Sequence, residues 1–333
     1  MPCEVGQCAG GYEFLTLVDN SRGDAVYKVR NVLADRFELL RIISKESQQS
    51  QEDVDRFLRE IKVHARLMHP NIITFHNASE IDGQVVMTYE FFDSVTLEKR
   101  LEQGRMTGRE AAACMSQVLS ALACAHDHGV THREVSAANV LLGPEGKVKL
   151  TGFGLAKSAS DPQLTQAGTV MGWIEYMAPE QIKGLPTLDR RADIYSAGAV
   201  LYEMVTGRVP FTGKSQFDVM MAHVNTPPEP PTSLNSDLSP EMSQVILTAL
   251  AKEPEQRFQS ADQFRQALNG AATAPSAPAP KPVPAPALAP APVVAAAASP
   301  AESWGFEKLL LTGVLTFLVV AVAFFAYLKM IRP

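Results

Sequence analysis

Short runs of alternating apolar and polar residues occupy much of the chain up to about residue 90. The runs are YEFLTLVD, DAVYKVRNV, RFELLRII and QVVMTYEF. An alternation of period two predicts half-buried β-strands. Between them, the stretch EDVDRFLREIKVHARLM has its apolar residues at helical spacing. The pattern therefore predicts a small β-rich lobe that contains one helix.

Beyond residue 96 the apolar residues recur at the spacing that is typical of helices. Four long stretches follow this pattern: GREAAACMSQVLSALACAHDHG, RADIYSAGAVLYEMVTG, SPEMSQVILTALAKEP and SADQFRQALNG. A β-rich lobe followed by a larger helical lobe predicts a two-lobed fold of the α+β class. We find no internal repeat that would point to a solenoid or a propeller.

The C-terminal part changes character twice. Residues 271–303 are mostly alanine and proline, a composition that predicts an extended linker without a packed core. Residues 309–328 contain no charge, and a helix of that length spans ~30 Å of hydrocarbon. The alternative, a buried core helix, has no remaining domain around it. We divide the chain into an N-terminal extension (1–11), a folded domain (12–268), a linker (269–307), a transmembrane helix (308–328) and a short tail (329–333).

The orientation of this anchor follows from weaker signals. The opening residues MPCEVGQCAGG lack the pattern of a signal peptide, so we expect the folded domain to stay in the cytoplasm. Lys329 and Arg332 follow the span and weakly favour the opposite orientation by the positive-inside rule. We give more weight to the first argument, because a large folded domain would need a route across the membrane.

Composition excludes one class of partner. The chain has 333 residues and a net charge of −6 with both signs mixed, and the absence of a basic patch argues against nucleic-acid binding. The four cysteines, Cys3, Cys8, Cys114 and Cys124, form no CxxC pair. We expect reduced thiols, with a disulfide or a metal site as the alternative.

Three histidines in AHDHGVTH, namely His126, His128 and His132, raise the question of a metal site. Their spacing suits no common structural zinc pattern. We therefore interpret them as core or solvated histidines.

Several motifs occur in a characteristic order. They are HPNII (69–73), THREVSAANVLL (131–142), KLTGFGLAK (149–157), GTVMGWIEYMAPEQ (168–181), RADIYSAGAVLYEMVTGRVPF (191–211) and EPEQRF (253–258). Together they resemble the bacterial eukaryotic-type (Hanks-type) serine/threonine protein kinase family, over residues 12–268. The resemblance implies a two-lobed kinase fold, ATP and Mg²⁺ as cofactors, and phosphate transfer to protein Ser or Thr. With the folded domain in the cytoplasm, we expect the anchoring membrane to be the inner, cytoplasmic one.

The positions that contact ATP in this family are altered here. The three glycines of the family's phosphate loop fall on Asp19, Ser21 and Asp24, and carboxylates there would repel a triphosphate. The family's phosphate-binding lysine aligns with Arg41, and its helix partner aligns with Glu60. We expect an Arg41–Glu60 ion pair, with phosphate contact by Arg41 as the alternative, because arginine is bulkier and forked.

The hinge that would hold adenine corresponds to Glu90–Phe92. Tyr89 precedes it at the back of the pocket. There it would either narrow the adenine site or pack in the core.

The catalytic segments also depart from the family. Glu134 replaces the catalytic aspartate and reaches one methylene further, while Ser136 replaces the lysine that steadies the transferred phosphate. Asn139 retains the identity of a metal ligand, although it could equally stabilise the turn as a buried amide. Gly152 replaces the magnesium-binding aspartate and offers no oxygen ligand. Trp173 replaces a threonine near the substrate position.

The positions that hold shape in the family are retained. Phe153 and Gly154 keep the turn after Gly152, Glu180 and Arg257 match a buried ion pair, and Asp193 matches the residue that holds the catalytic-loop backbone. Thr165 and Thr169 lie where family members carry activating phosphates, or are simply exposed loop threonines.

Two functions follow. The first is a membrane-anchored pseudokinase that acts as a signalling scaffold or an allosteric partner of other signalling proteins or active kinases. The second is an active but atypical Ser/Thr kinase in which Glu134 is the base and Asn139 with Glu134 holds one metal ion. A nucleotide-sensing switch without catalysis is a variant of the first. The resemblance implies ATP and Mg²⁺, and the substitutions argue against both.

Overall fold

The computed structural model describes residues 5–20, 25–42, 58, 60–153, 157–158, 174–185 and 188–273. All of them lie in the first of two units into which the chain divides, Met1–Pro278. Within this unit a strand-rich lobe precedes a helix-rich lobe. The two-lobed α+β fold predicted from the sequence is therefore confirmed.

The first lobe is built on one six-stranded antiparallel sheet with the spatial order β1-β2-β3-β4-β6-β5. Phe14, Tyr27, Val29 and Leu40 are buried together beside the sheet, because alternate side chains of a strand point to the same face. A short helical segment follows at residues 60–64. The strands are β1 Cys8–Ala9, β2 Tyr12–Asp19, β3 Ala25–Asn31, β4 Arg36–Ile42, β5 Phe75–Ile81 and β6 Gln84–Glu90.

The second lobe packs its helices around α4 (Arg191–Thr206), most of whose side chains are buried. Helix α2 begins with a capping box in which Thr107 and Glu110 satisfy each other's backbone N–H groups. The helices are α1 Leu97–Leu101, α2 Gly108–Asp127, α3 Pro179–Ile182, α4 Arg191–Thr206, α5 Gln216–Asn225, α6 Pro231–Leu234, α7 Pro240–Ala249 and α8 Ala261–Thr273.

Among the described residues, five short strands lie next to the segments that correspond to the catalytic segments of the family. They are β7 Val95–Thr96, β8 Val130–Thr131, β9 Val140–Leu142, β10 Val148–Leu150 and β11 Lys157–Ser158. Residues 132–139 lie between β8 and β9, and Gly152 follows β10 by two residues. Strands β10, β9 and β7 form one small sheet, and β11 pairs with β8.

Two strands differ from the sequence prediction. Strand β5, FHNASEI, has too few apolar residues to show an alternation, and its pairing with β6 fixes it instead. Strand β1 lies within the expected N-terminal extension and pairs with β2.

The C-terminal boundary also differs from the expected one. Helix α8 continues to Thr273, five residues past the expected boundary at 268, and it buries Ala271. No helix among the described residues is long and apolar enough to cross a membrane. The expected span at 308–328 and the linker beyond residue 273 lie outside the described residues.

Candidate functional site

Asp193 of α4 holds the backbone of the segment that follows β8. Its carboxylate accepts hydrogen bonds from the N–H groups of His132 (2.8 Å) and Arg133 (2.7 Å). The ring Nε2 of His126 lies 2.8 Å from the same carboxylate. Burial raises the pKa of the Asp193 carboxyl, but the His126 hydrogen bond and the neighbouring rings outweigh burial and lower it. The carboxylate therefore stays charged and fixes the loop.

The ring of His132 connects the loop to the strand that leads to Gly152. Its Nε2 lies 2.9 Å from the carbonyl oxygen of Thr151, and its Nδ1 accepts the backbone N–H of Glu134 at 3.1 Å. These contacts assign the neutral tautomer with the proton on Nε2. Burial lowers the pKa of His132, which agrees with a neutral ring.

A column of rings runs from this loop into the first lobe. The rings of His132 and Phe153 lie 4.5 Å apart, those of Phe153 and His64 lie 5.1 Å apart, and those of His64 and Phe75 lie 6.3 Å apart. Burial, followed by the proximity of His132 and Arg41, lowers the pKa of His64 to about 3. The column joins the turn after Gly152 to the helical segment at residues 60–64.

Asn139 and Gly152 occupy the two metal-ligand positions of the family. The Asn139 side chain is buried, and its amide donates a 2.8 Å hydrogen bond to the carbonyl oxygen of Glu134. Gly152 has a φ of +87°. A Cβ built on Gly152 would lie 2.5 Å from Cγ and 2.7 Å from Oδ1 of Asn139. The Asn139 amide thus fills the space in which a side chain at position 152 would begin.

Ser136, at the position of the family's phosphate-steadying lysine, points inward. Its side chain is fully buried, and its hydroxyl has no hydrogen-bond partner among the described residues. A buried hydroxyl carries no positive charge with which to neutralise a phosphate. Glu134 is partly exposed beside it, so a carboxylate does remain at the base position.

Arg41 and Glu60 form the ion pair that the sequence predicts. Nη1 of Arg41 donates to both oxygens of Glu60, at 2.9 and 3.0 Å, and Glu60 is only 4% exposed. The Tyr89 hydroxyl lies 3.5 Å from the same carboxylate. Burial, with the nearby carboxylate, raises the Tyr89 pKa well above its usual value. Tyr89 therefore stays neutral and packs in the core with Ile73 and Met87.

The hinge residues Glu90 and Phe92 make hydrogen bonds to neighbouring segments. Oε1 of Glu90 accepts the backbone N–H of Thr74 at 2.6 Å and a hydrogen bond from Lys149 at 2.7 Å. The carbonyl oxygen of Phe92 accepts the Ser94 hydroxyl at 3.0 Å. The Glu90 side chain is therefore fixed between Thr74 and Lys149.

The second lobe contains a buried ion pair beneath the substrate segment. Arg257 donates to the two oxygens of Glu180 at 2.6 and 2.8 Å. Its other N–H groups reach the carbonyl oxygens of Ala251, Arg191 and Lys252. All five donors of the guanidinium are satisfied, which ties α3 to the loop before α8.

Comparison with known proteins decides the family. A family model described as "Protein kinase domain" matches residues 21–269. The chain belongs to the protein kinase family.

Relatives agree with this assignment. Serine/threonine-protein kinase PknD of Mycobacterium tuberculosis is 35% identical over 272 residues, covering 81% of this chain and 41% of the relative. Serine/threonine-protein kinase PrkC of Bacillus subtilis is 30% identical over 268 residues, covering 80% and 41%. The chain thus spans less than half the length of these relatives. The PknI kinase domain of M. tuberculosis matches with a TM-score of 0.63 at 27% identity, covering 80% of this chain and 99% of that one.

The ligand set of the kinase domain does not fit a magnesium ion. Mg²⁺ prefers several oxygen ligands in near-octahedral geometry, and Gly152 supplies none. Asn139 offers a single amide oxygen, since its amide nitrogen donates to the carbonyl oxygen of Glu134, and one such oxygen is a poor site by itself. No group of three His, Cys, Asp or Glu side chains within the described ranges could hold a metal ion. We therefore derive no reaction step through Mg²⁺.

Several predicted positions cannot be placed. Ser21, Asp24, Gly154, Thr165, Thr169 and Trp173 lie outside the described residues. Asp19 ends β2, is exposed, and pairs with Val26 of β3.

Sequence reasoning missed three contributors to the site. His64 lies inside the ring column, Lys149 contacts the hinge, and Gln181 donates from Nε2 to the carbonyl oxygen of Arg133 at 3.0 Å. A signal existed for Lys149, because it is a charged residue between the apolar residues Val148 and Leu150 of a short strand.

Proposed function

We propose that this kinase domain is a catalytically deficient pseudokinase that acts as a signalling scaffold or an allosteric partner. The observation that carries the proposal is the relation between Gly152 and Asn139. A position that needs a carboxylate has no side chain, and the neighbouring amide fills the space beside it.

Two further positions support the deficiency. Ser136 is fully buried, so nothing at that position neutralises a transferred phosphate, and phosphoryl transfer depends on charge neutralisation. Arg41 stands where the family has its phosphate-binding lysine. Its forked guanidinium differs in shape from the point charge of a lysine. Each change weakens a different part of the phosphate site.

The retained contacts support a role as a binding module. The fold is stabilised by the Glu180–Arg257 ion pair, by the hydrogen bonds of Asp193 to the loop after β8, and by the ring column. A folded surface is sufficient to bind an active kinase or another signalling protein. We further propose that residues 309–328 anchor the domain to the inner membrane and that the Ala/Pro-rich linker gives it reach along that surface.

The test is nucleotide binding and phosphotransfer by the full-length chain. Thermal unfolding is followed with ATP, with ATP and Mg²⁺, and with ATP and EDTA. A ligand present at 100 times its Kd would add about 2.7 kcal/mol of stability. We expect no Mg²⁺-dependent shift and no transfer from labelled ATP. Transfer that is lost in a Glu134→Ala variant would overturn the proposal, and a shift independent of Mg²⁺ would indicate a nucleotide-sensing switch.

The second candidate function is an active, atypical Ser/Thr kinase. Two observations favour it: the Arg41–Glu60 pair is formed, and a carboxylate stands at Glu134. In this case autophosphorylation at Thr165 or Thr169 would be found by mass spectrometry after expression with ATP. Its absence from freshly purified protein, with an active relative as positive control, would count against this function.

A further inference from the structure

We propose that Lys149 and Glu90, together with Phe92 and Gly143, form a latch that fixes the hinge between the two lobes without a nucleotide. This hinge latch is independent of whether the domain transfers phosphate. Its four residues come from the end of β6, the hinge, the turn after β9 and strand β10.

The charged half of the latch joins three segments. Nζ of Lys149 lies 2.7 Å from Oε1 of Glu90 and 3.4 Å from the carbonyl oxygen of Ile72. The same Oε1 accepts the N–H of Thr74 at 2.6 Å. The loop before β5, the hinge and the second-lobe strand β10 therefore meet at one carboxylate oxygen.

The setting of this ion pair distinguishes it from a surface pair. The Lys149 side chain is 12% exposed and the Glu90 side chain is 26% exposed. Two positions earlier in the chain, Lys147 pairs with Glu145, but those side chains are 65% and 78% exposed. Exposed pairs contribute little because water and salt screen them. The Lys149–Glu90 pair is screened less, since little water reaches it.

The apolar half of the latch fixes the other end of the hinge. The ring of Phe92 lies directly over Gly143, so that a Cβ built there would be 2.6 Å from Cε2 and still closer to Cζ. The φ of Gly143 is −100°, which any residue adopts. The ring is therefore the reason for glycine at this position. Nζ of Lys149 also lies 5.7 Å from the centre of the Phe92 ring.

Three backbone hydrogen bonds around the latch report on its state. The backbone N–H of Ile73 donates to the carbonyl oxygen of Leu150, and the N–H of Leu150 donates to the carbonyl oxygen of Asn71. The N–H of Glu90 donates to the carbonyl oxygen of Thr74. Opening of the hinge would expose these amides to solvent. Hydrogen exchange measures such local openings directly.

The experiment compares hydrogen–deuterium exchange of the full-length protein with that of Lys149→Met, which keeps much of the apolar stem. We expect about tenfold faster exchange in peptides that contain Ile73, Glu90 and Leu150, equivalent to ~1.4 kcal/mol. Peptides from α4 should exchange as in the wild type. Lys147→Met is the matched control and should change nothing at the hinge.

Two further variants keep the proposal falsifiable if Lys149→Met does not fold. Glu90→Gln keeps the acceptor for Thr74 but loses the ion pair, and it should show the same faster exchange. Gly143→Ala leaves all charges in place but displaces the Phe92 ring, and it should speed exchange of the hinge peptide alone. The proposal is wrong if Glu90→Gln matches the Lys147→Met control, or if the exchange of α4 rises as much as that of the hinge.

Discussion

The side-chain amide of Asn139 lies where a side chain on Gly152 would begin. A Cβ at position 152 would approach Cγ of Asn139 to 2.5 Å, while the amide nitrogen donates to the carbonyl oxygen of Glu134. The missing carboxylate and the orientation of the neighbouring amide are therefore one structural feature. A carboxylate at position 152 could be restored only if the Asn139 amide moved.

Gly152→Ala should destabilise the protein more than the backbone strain alone explains. A left-handed φ costs an L-residue about 1–2 kcal/mol, and overpacking against Asn139 should add a further ~1–3 kcal/mol. Gly11→Ala is the matched control, because Gly11 has a φ of +86° and nothing within 4 Å of its Cβ position. The unfolding free energy of both variants is measured by urea denaturation.

A double-mutant cycle isolates the contact between the two positions. Combining Gly152→Ala with Asn139→Ala should recover the overpacking cost, although it loses the hydrogen bond to Glu134. If Gly152→Ala and Gly11→Ala lose the same unfolding free energy, the Asn139 side chain moves aside without a measurable cost. In that case Gly152→Asp would be expected to gain Mg²⁺-dependent ATP binding.

Arg257→Met should be among the most destabilising single substitutions in the second lobe. It leaves the Glu180 carboxylate, which is 9% exposed, without its partner, and breaking a buried ion pair in this way costs about 3–5 kcal/mol. Arg208→Met, which removes an exposed pair with Glu229, should cost less than about 1 kcal/mol. Denaturant unfolding measures both.

Arg257→Lys tests whether a positive charge at position 257 is sufficient to stabilise the fold without the guanidinium hydrogen bonds. Lysine has three donors and no fork, so it cannot replace the five hydrogen bonds of Arg257. We expect Arg257→Lys to lose most of the unfolding free energy that Arg257→Met loses. Wild-type stability in the lysine variant would contradict this explanation.

Much of the fold was predictable because its signals are local. The alternation in YEFLTLVD and RFELLRII corresponds to β2 and β4, and the helical periodicity after residue 107 corresponds to α2. The motif order also indicated which residues would meet, as Arg41 and Glu60 do across 19 positions. Strand β5 was missed because its pairing partner, and not its own composition, determines its structure.

The details of the site were not predictable because they depend on side-chain direction. The sequence left open whether Asn139 is a metal ligand or a buried amide, and the contact of its amide nitrogen with the carbonyl oxygen of Glu134 appears only in the folded structure. It placed Glu90 at the hinge but did not indicate that its side chain contacts Lys149. Distant segments of the chain make both contacts, and no local pattern encodes them.

The protein should lose stability as the pH falls below about 6.5. Burial lowers the pKa of His64 and of His223 from 6.5 to about 3. Between these values the unfolded chain binds protons that the folded chain does not. Stability is therefore lost as the pH falls through the unfolded pKa, and each group contributes about 2 kcal/mol of that loss by pH 5. Urea unfolding at pH 7.5, 6 and 5 measures the slope.

The variant His64→Phe tests how much of the pH dependence of the unfolding free energy comes from His64, which lies in the ring column. Phenylalanine keeps a ring between Phe153 and Phe75 but cannot bind a proton, so the variant should lose less stability at pH 5 than the wild type. His128→Phe changes an exposed histidine and serves as the control. If His64→Phe and the wild type have the same slope between pH 7.5 and 5, His64 is not the acid-sensitive group.

Arg41 offers the last test, because it separates structure from nucleotide binding. Arg41→Met leaves Glu60 buried without its ion pair and should cost about 1.5–3 kcal/mol, the contribution of hydrogen bonds to a charged group. Arg41→Lys restores the family residue and should recover part of this stability, since it keeps the charge but loses the fork. It should not produce a Mg²⁺-dependent thermal shift with ATP, because Gly152 still supplies no ligand. A shift in Arg41→Lys would show that the arginine, and not the missing carboxylate, keeps the nucleotide out.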